Sequence, residues 1–164
     1  IDLSMNSTGI TYLDDQGEIY STLILNRIPT NLNQNKYIKI CSFNKEFDCN
    51  EERFDSIANL LINDIKYKIK HLFQNHSSFL IGIEDYSYAS KGMIFNIGEF
   101  VGRIKYELWK NNLHFKLIAP TTIKKFWIKG NADKTLLLET FIQKAIEEKG
   151  IFENYYNILS NKLM

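Results

Sequence analysis

Proline is nearly missing from this chain. Two prolines and two cysteines occur in 164 residues. So little proline, with no low-complexity stretch, excludes a Pro-rich linker or an extended disordered tail. Cys41 and Cys49 lack metal-ligand spacing, which excludes a zinc knuckle or a disulfide scaffold. They read as free thiols of a reducing, cytoplasmic or otherwise intracellular setting. No apolar run approaches the ~20 residues of a membrane span, and nothing resembles a signal peptide. No internal repeat is visible. What is present is 45% hydrophobic residues, enough for one core, so residues 1–164 are expected to form a single domain. The chain opens on Ile1 without an initiator Met, so a piece of a longer protein, truncated at both ends, is expected.

The net charge is only +1, but it is unevenly placed. Residues 103–134 carry eight Lys or Arg (Arg103, Lys105, Lys110, Lys116, Lys124, Lys125, Lys129, Lys134) against Glu107 and Asp133. A cationic segment in a near-neutral chain is a candidate phosphate-binding surface, with a solvated face as the competing reading.

Ile1–Leu3 reads as the end of a strand. Ile10–Leu13 and Ile19–Leu25 follow as further strands around an Asp14-Asp15-Gln16-Gly17 turn, with Tyr37–Cys41 as a weaker candidate. Together these predict an antiparallel meander. Asn50 is placed to cap a helix whose apolar positions run from Ile57 to Leu72, interrupted only by Asp64 and Lys68. Phe79–Ile83 is continuously apolar and predicts a central strand covered on both faces. A long helix is predicted over about Gly92–Asn111. Phe100 and Trp109 widen its apolar stripe, and Gly98 and Gly102 would admit a close backbone. Phe115–Ile118 predicts a strand, and Pro120 then starts a short helix, Thr121–Trp127. Asn131 is placed to cap a helix reaching Glu148, and Phe152–Leu163 reads as a last partial helix. This order predicts an α/β domain with a mixed sheet and helices on both faces.

Asp2 ends the first strand, and Glu84-Asp85 ends the strand Phe79–Ile83. If these strands are parallel neighbours, the carboxylates emerge at one end of the sheet. Two such charges about 5 Å apart repel by ~3 kcal/mol at an effective dielectric near 20, so a proton or a cation must sit between them. Mg²⁺ suits all-oxygen ligands, and two ions ~4 Å apart serve phosphodiester hydrolysis. The competing reading of a lone acid after a strand is a turn or cap residue. Glu84 is the stronger candidate, because a charge ending an apolar strand is costly unless used. Asp85 either backs up Glu84 or faces solvent. The loop Ser4–Gly9 either offers hydroxyls and amides to a phosphate or simply makes the turn.

Four stretches carry a family resemblance. They are Ile-Asp-Leu-Ser-Met-Asn-Ser-Thr-Gly-Ile (1–10), Ile-Gly-Ile-Glu-Asp-Tyr (81–86), Asn-Ile-Gly-Glu-Phe-Val-Gly (96–102), and Ala119-Pro120-Thr121-Thr122-Ile123-Lys124-Lys125 running into Gly130–Lys134. In this order they resemble the RuvC-type Holliday-junction resolvases, in particular the phage and viral branch, whose fold is ribonuclease H-like. The resemblance implies a five-stranded mixed sheet, an antiparallel meander followed by parallel strands. It implies a homodimeric, Mg²⁺-dependent endonuclease (Mn²⁺ as substitute) with two ions per site, which resolves four-way or branched DNA in recombination and repair. Asp2 and Glu84 would be metal ligands, with Asp85 beside them. Lys134, with Lys124 or Lys125, would contact the scissile or neighbouring phosphates, and Lys129 lies in the same nucleic-acid-binding segment.

Lys134 has a separate physical argument. A cation in the first turn of a helix opposes the dipole, and a bound phosphate reverses that penalty. Tyr86 and Tyr88 match aromatics near the junction, with core packing as the alternative. The helix carrying Gly98, Val101 and Gly102 resembles the family's dimer helix. The family completes its site with one or two aspartates at a C-terminal helix. Here residues 152–164 hold Glu153 and no Asp, so either Glu153 substitutes or acids beyond Met164 complete the set. Two other readings are a non-catalytic nucleic-acid-binding module of the same fold and, less favoured, a phosphotransferase of the actin-like clan.

Overall fold

The computed structural model describes residues 1–14, 18–27, 34, 37–43, 45–72, 79–85, 94–127, 135–137, 139, 140 and 143. Its elements run β1 (Ser7–Leu13), β2 (Ile19–Leu25), β3 (Ile38–Ser42), α1 (Asn50–Leu72), β4 (Ile81–Glu84), α2 (Ile94–Lys110), β5 (Phe115–Ile118) and α3 (Pro120–Trp127). This is a mixed α/β fold with two sheets, β1-β2-β3 and β4-β5.

β1 and β2 are antiparallel, paired from Ser7 with Leu25 to Leu13 with Ile19. Alternation along β1 buries Thr8, Ile10 and Tyr12 and leaves Ser7, Thr11 and Leu13 exposed, as a half-buried strand requires. β3 corrects the expected meander, because it lies parallel to β2, with Ser21 opposite Ile38 and Leu25 opposite Ser42. A parallel neighbour needs a crossover where an antiparallel one needs only a tight turn. The segment between β2 and β3 is long enough to provide it. The strand predicted at Ile10 begins earlier, at Ser7.

β4 and β5 are parallel, from Ile81 with Phe115 to Glu84 with Ile118. The apolar run 79–83 shifts in register. Phe79 and Leu80 lie outside the strand and are exposed, while Ile81 and Ile83 are buried. Gly82 and Glu84 are only half-buried, so the expected coverage of both faces is absent among the described residues.

The two sheets meet at the N-terminal segment. The nitrogen of Ile1 donates to Gly82 O (2.8 Å), and Glu84 N donates to Ile1 O (2.9 Å). This is the bond pair of a parallel neighbour opposite Ile83. On its other side, Asp2 exchanges both backbone bonds with Gly9, 2.9 and 3.0 Å, as an antiparallel bridge.

α1 and α2 pack together on the face that carries Ile10, Tyr12, Ile24, Ile81 and Ile83. Ile57, Ala58, Leu61 and Ile65 of α1 and Phe100, Ile104 and Leu108 of α2 complete this core. The rings of Phe54 and Phe100 lie 5.2 Å apart between the two helices. Burying side chains of this size contributes ~1.5–3 kcal/mol each. Arg103 ties the helices at the rim, pairing with Asp55 (2.6 Å) and with the buried Glu107 (3.1 Å). α2 ends where Asn112 takes a positive φ of 55° and Leu113 N bonds Leu108 O at 2.9 Å. That is a Schellman closure, with asparagine in the left-handed position.

Three local expectations change. At the start of α1, Asn50 is the first helical residue. The preceding Cys49 Sγ accepts from Glu52 N, and Glu52 carboxylate accepts from Asp48 N. Trp109 does not widen the buried stripe: it is 70% exposed, one residue round the helix from Leu108. Apart from the backbone of α2 itself, no atom of the described residues lies within 4 Å of the space a side chain at Gly98 or Gly102 would occupy. The helix expected from Asn131 to Glu148 is described only at 135–137, 139, 140 and 143, which are helical. The partial helix at Phe152–Leu163 lies outside the described residues, and so does any helix there that would cover the second sheet face.

Candidate metal and phosphate site

The hydrogen bonds of Ile1 fix the geometry of the leading candidates. Ile1 stands opposite Ile83 in parallel register, so Asp2 stands opposite Glu84 and both project to the same face. Neighbouring strands run ~4.8 Å apart, which sets the spacing of the two side chains. Ile1 and Leu3 pack on the core side, so Asp2 must point away from it. Asp2 is exposed and Glu84 half-buried. The structure therefore brings together the two acids that sequence spacing alone left 82 positions apart.

Asp85 goes elsewhere. Its backbone N bonds Ile118 O at 2.9 Å, and its carboxylate lies 3.7 Å from Lys105 Nζ on α2. By alternation it faces the helix side, away from Asp2. Its position suits anchoring the end of β4 to α2 rather than sharing an ion with Glu84.

The turn Ser4–Gly9 is partly self-satisfied. Thr8 is fully buried, and its hydroxyl donates to Ser4 O at 2.9 Å, so that hydroxyl closes the turn. Asn26 N and Nδ2 reach Asn6 O and Oδ1 at 3.4 and 3.3 Å, pinning the loop to the end of β2.

The basic segment divides in two. Arg103 and Lys110 face Glu107, and Lys105 faces Asp85, so three of its cations offset carboxylates of this chain. Lys116, Lys124 and Lys125 are exposed. Lys116 pairs in register with Gly82 and so shares the face of Asp2 and Glu84. It is the one described cation that the sheet itself places on the acidic face, and only its membership of the basic run pointed to it in the sequence. α3, with Lys124 and Lys125, begins two residues after Ile118, the partner of Glu84. Tyr86, Tyr88, Lys129, Lys134 and Glu153 lie outside the described residues.

Among the described residues no three His, Cys, Asp or Glu side chains form a group able to hold a metal. Asp2 and Glu84 supply an oxygen-only pair, which fits a hard divalent cation whose remaining positions are filled by water or by further ligands. Cys41 and Cys49 are both free. Among the described residues no helix is long and apolar enough to cross a membrane.

A second polar cluster was not foreseen. Asp64 of α1, only 5% exposed, accepts from Tyr12 Oη (2.7 Å) and from Lys39 Nζ (2.7 Å). Burial pushes its carboxyl up, but the hydrogen bonds from Lys39 and Tyr12 and the Lys39 charge outweigh burial and hold it below the usual range. Burial, then the bond to Asp64, pushes the Tyr12 phenol up; the same carboxylate raises Lys39. The signal was visible: Asp64 interrupts an apolar stripe.

No protein-family model, no curated protein and no solved structure matches this chain.

Proposed function

We propose that the chain is the nuclease domain of a metal-dependent, structure-selective endodeoxyribonuclease acting on four-way or branched DNA, built on a ribonuclease H-like plan. The observation that carries this reading is the placement of Ile1–Asp2 between β1 and β4, which sets Asp2 beside Glu84 on one sheet face. Counting that segment as a strand, the order is β3-β2-β1-segment-β4-β5. In this reading the five from β2 to β5 would correspond to the strands of a ribonuclease H-like sheet, with β3 added at the edge. The strands that carry Asp2 and Glu84 end on the same edge, where ligands of α/β folds bind.

In this reading Asp2 and Glu84 hold Mg²⁺. Bound there, the ion would supply charge stabilisation to a phosphodiester and lower the pKa of a water toward neutrality. Lys116, Lys124 and Lys125 bind and orient flanking phosphates, so affinity rests on backbone charge and shape rather than on base readout. A second copy of the chain suits the outer stripe of α2. Phe95 (82% exposed), Tyr106 and Trp109 lie along it, with Gly98 and Gly102 opening a notch between them. Val101 is buried within the chain, so the contact would run through the glycines and aromatics.

The test is cleavage of a labelled four-way junction by the full-length protein in Mg²⁺. Asp2→Asn is expected to abolish nicking and to leave junction binding nearly intact. Full cleavage by that variant rejects the reading. A second reading, a binding module of the same fold without catalysis, is favoured by the lack of a third acidic ligand among the described residues. Junction binding without cleavage in either Mg²⁺ or Mn²⁺ would select it.

A further inference from the structure

The C-terminal half of α1 and the adjoining sheet edge carry aromatic rings interleaved with cationic groups. Tyr67 is 57% exposed, and its ring centroid lies 4.2 Å from that of His71, one turn on. Lys68 Nζ sits 5.0 Å from the Tyr20 ring centroid and 5.8 Å from that of Tyr12. Tyr37 extends the aromatic row, 6.1 Å from Tyr20. Lys39 keeps half of its side chain in solvent while bonding Asp64.

The charge of this surface is one-sided. Asp64 is the only acid in the stretch 63–72, against Lys66, Lys68, Lys70 and His71, and it is buried and compensated by Lys39. Among the described residues no carboxylate lies within ion-pair distance of Lys68 or Lys70. The adjacent β1–β2 turn carries Asp14, Asp15 and Glu18; Asp14 Oδ1 accepts from Glu18 N at 2.8 Å, and Asp15 lies outside the described residues. Cations in the last turns of a helix complement its dipole, which accounts for the lysines. It does not account for three phenol rings and an imidazole interleaved with them.

We infer that Tyr20, Tyr37, Lys39, Tyr67, Lys68 and His71 form a second binding surface, for a nucleic-acid strand with unpaired bases. Aromatic faces stack on bases without regard to sequence, and ammonium groups between them meet the phosphates. The rings and ammonium groups form an extended row, which suits a polymer. It lies on the sheet face opposite Asp2 and Glu84, beside β3, the outermost strand of its sheet. A strand leaving the acidic face therefore passes around that edge to reach it. The choice of nucleic acid rests on the nuclease reading; the surface itself does not depend on catalysis.

The experiment measures fluorescence anisotropy of a labelled oligothymidylate, and of a duplex of equal length, with the full-length protein. The double variant Tyr67→Ala/His71→Ala is expected to bind the single strand at least about five-fold more weakly, with duplex affinity and melting temperature unchanged. Lys68→Gln is expected to flatten the dependence of log affinity on log salt by about 0.7. Tyr67→Trp, which keeps a stacking face, retains wild-type affinity. Unchanged single-strand binding in both variants, or an equal loss for duplex and single strand, overturns the inference. Binding through this surface by a protein that cuts nothing would sink the nuclease reading alone. Cleavage abolished by Asp2→Asn, with no effect of Tyr67 and His71, would sink this inference alone.

Discussion

Tyr12 and Asp64, 52 residues apart, are joined by a 2.7 Å hydrogen bond that crosses from β1 to α1 inside the core. A phenol donating to a carboxylate is a charge-assisted bond, worth ~1.5–3 kcal/mol when its partner would otherwise be left buried. Tyr12→Phe is therefore expected to lower unfolding free energy by about 2 kcal/mol in urea denaturation at neutral pH. An unchanged midpoint would mean that the bond adds nothing net.

The same pair sets a pH dependence. The Asp64 carboxyl is held down in the folded state, so its contribution is fully present above the unfolded value near 4 and is lost as pH falls through the folded value. The wild-type advantage over Asp64→Asn should thus be largest at neutral pH and shrink in acid. Tyr12 and Lys39 shift upward, so their contribution is lost as pH rises beyond about 10. A difference between wild type and Asp64→Asn that grows in acid would overturn the assignment.

Metal binding gives a prediction independent of cleavage. A ligand that binds only the folded state raises its stability in proportion to RT ln(1 + [L]/Kd). Saturating Mg²⁺ should raise the melting temperature of the wild-type protein. It should do so far less in Asp2→Asn or Glu84→Gln, while removing one acid from the repelling pair should stabilise the metal-free protein slightly. An equal response to Mg²⁺ in all three would show that the ion binds elsewhere.

Position 82 tests the join between β4 and β5. A Cβ on Gly82 would sit 2.9 Å from Ile118 Cδ1, the free end of a partly exposed side chain. Gly82→Ala should therefore cost less than about 1 kcal/mol, since Ile118 can turn away. Gly82→Val should cost ~1–3 kcal/mol by overpacking, and Ile118→Val in the same chain should recover part of it.

α2 separates core from partner surface. Ile104 is fully buried, and Ile104→Ala should cost ~2–5 kcal/mol of stability. Trp109→Ala, at a 70% exposed site, should change monomer stability by less than about 0.5 kcal/mol. If α2 pairs with a second copy, that variant should lower the sedimentation coefficient; a wild type that sediments as a monomer at high concentration removes the dimer.

Helix boundaries were the most legible part of the sequence. Leu72 closes α1 where the apolar period stops, and Pro120 starts α3, because both are set by local backbone chemistry. The parallel pairing of β3 was not legible, since strand direction depends on where the intervening chain passes and not on the five residues Ile38–Ser42. Trp109 misled because apolar character alone does not say which way a residue faces; its position next to Leu108 does. At the candidate site, Asp2 and Glu84 could be named from their strand ends, but their side-by-side placement depends on the backbone bonds of Ile1. Asp85 and Glu84 are adjacent in sequence, and alternation sends them to opposite faces.

The seam at Ile1 has a consequence for how activity would appear during folding. The bonds from residue 1 to residues 82 and 84 close a loop of about eighty residues, and such long-range pairings form slowly. Local helices and the β1–β2 hairpin can form before that closure, yet Asp2 and Glu84 remain apart until it occurs. If Asp2 and Glu84 hold an ion as proposed, ion affinity would report the finished topology: a chain with native helix content but an open seam would look folded by circular dichroism and bind no metal.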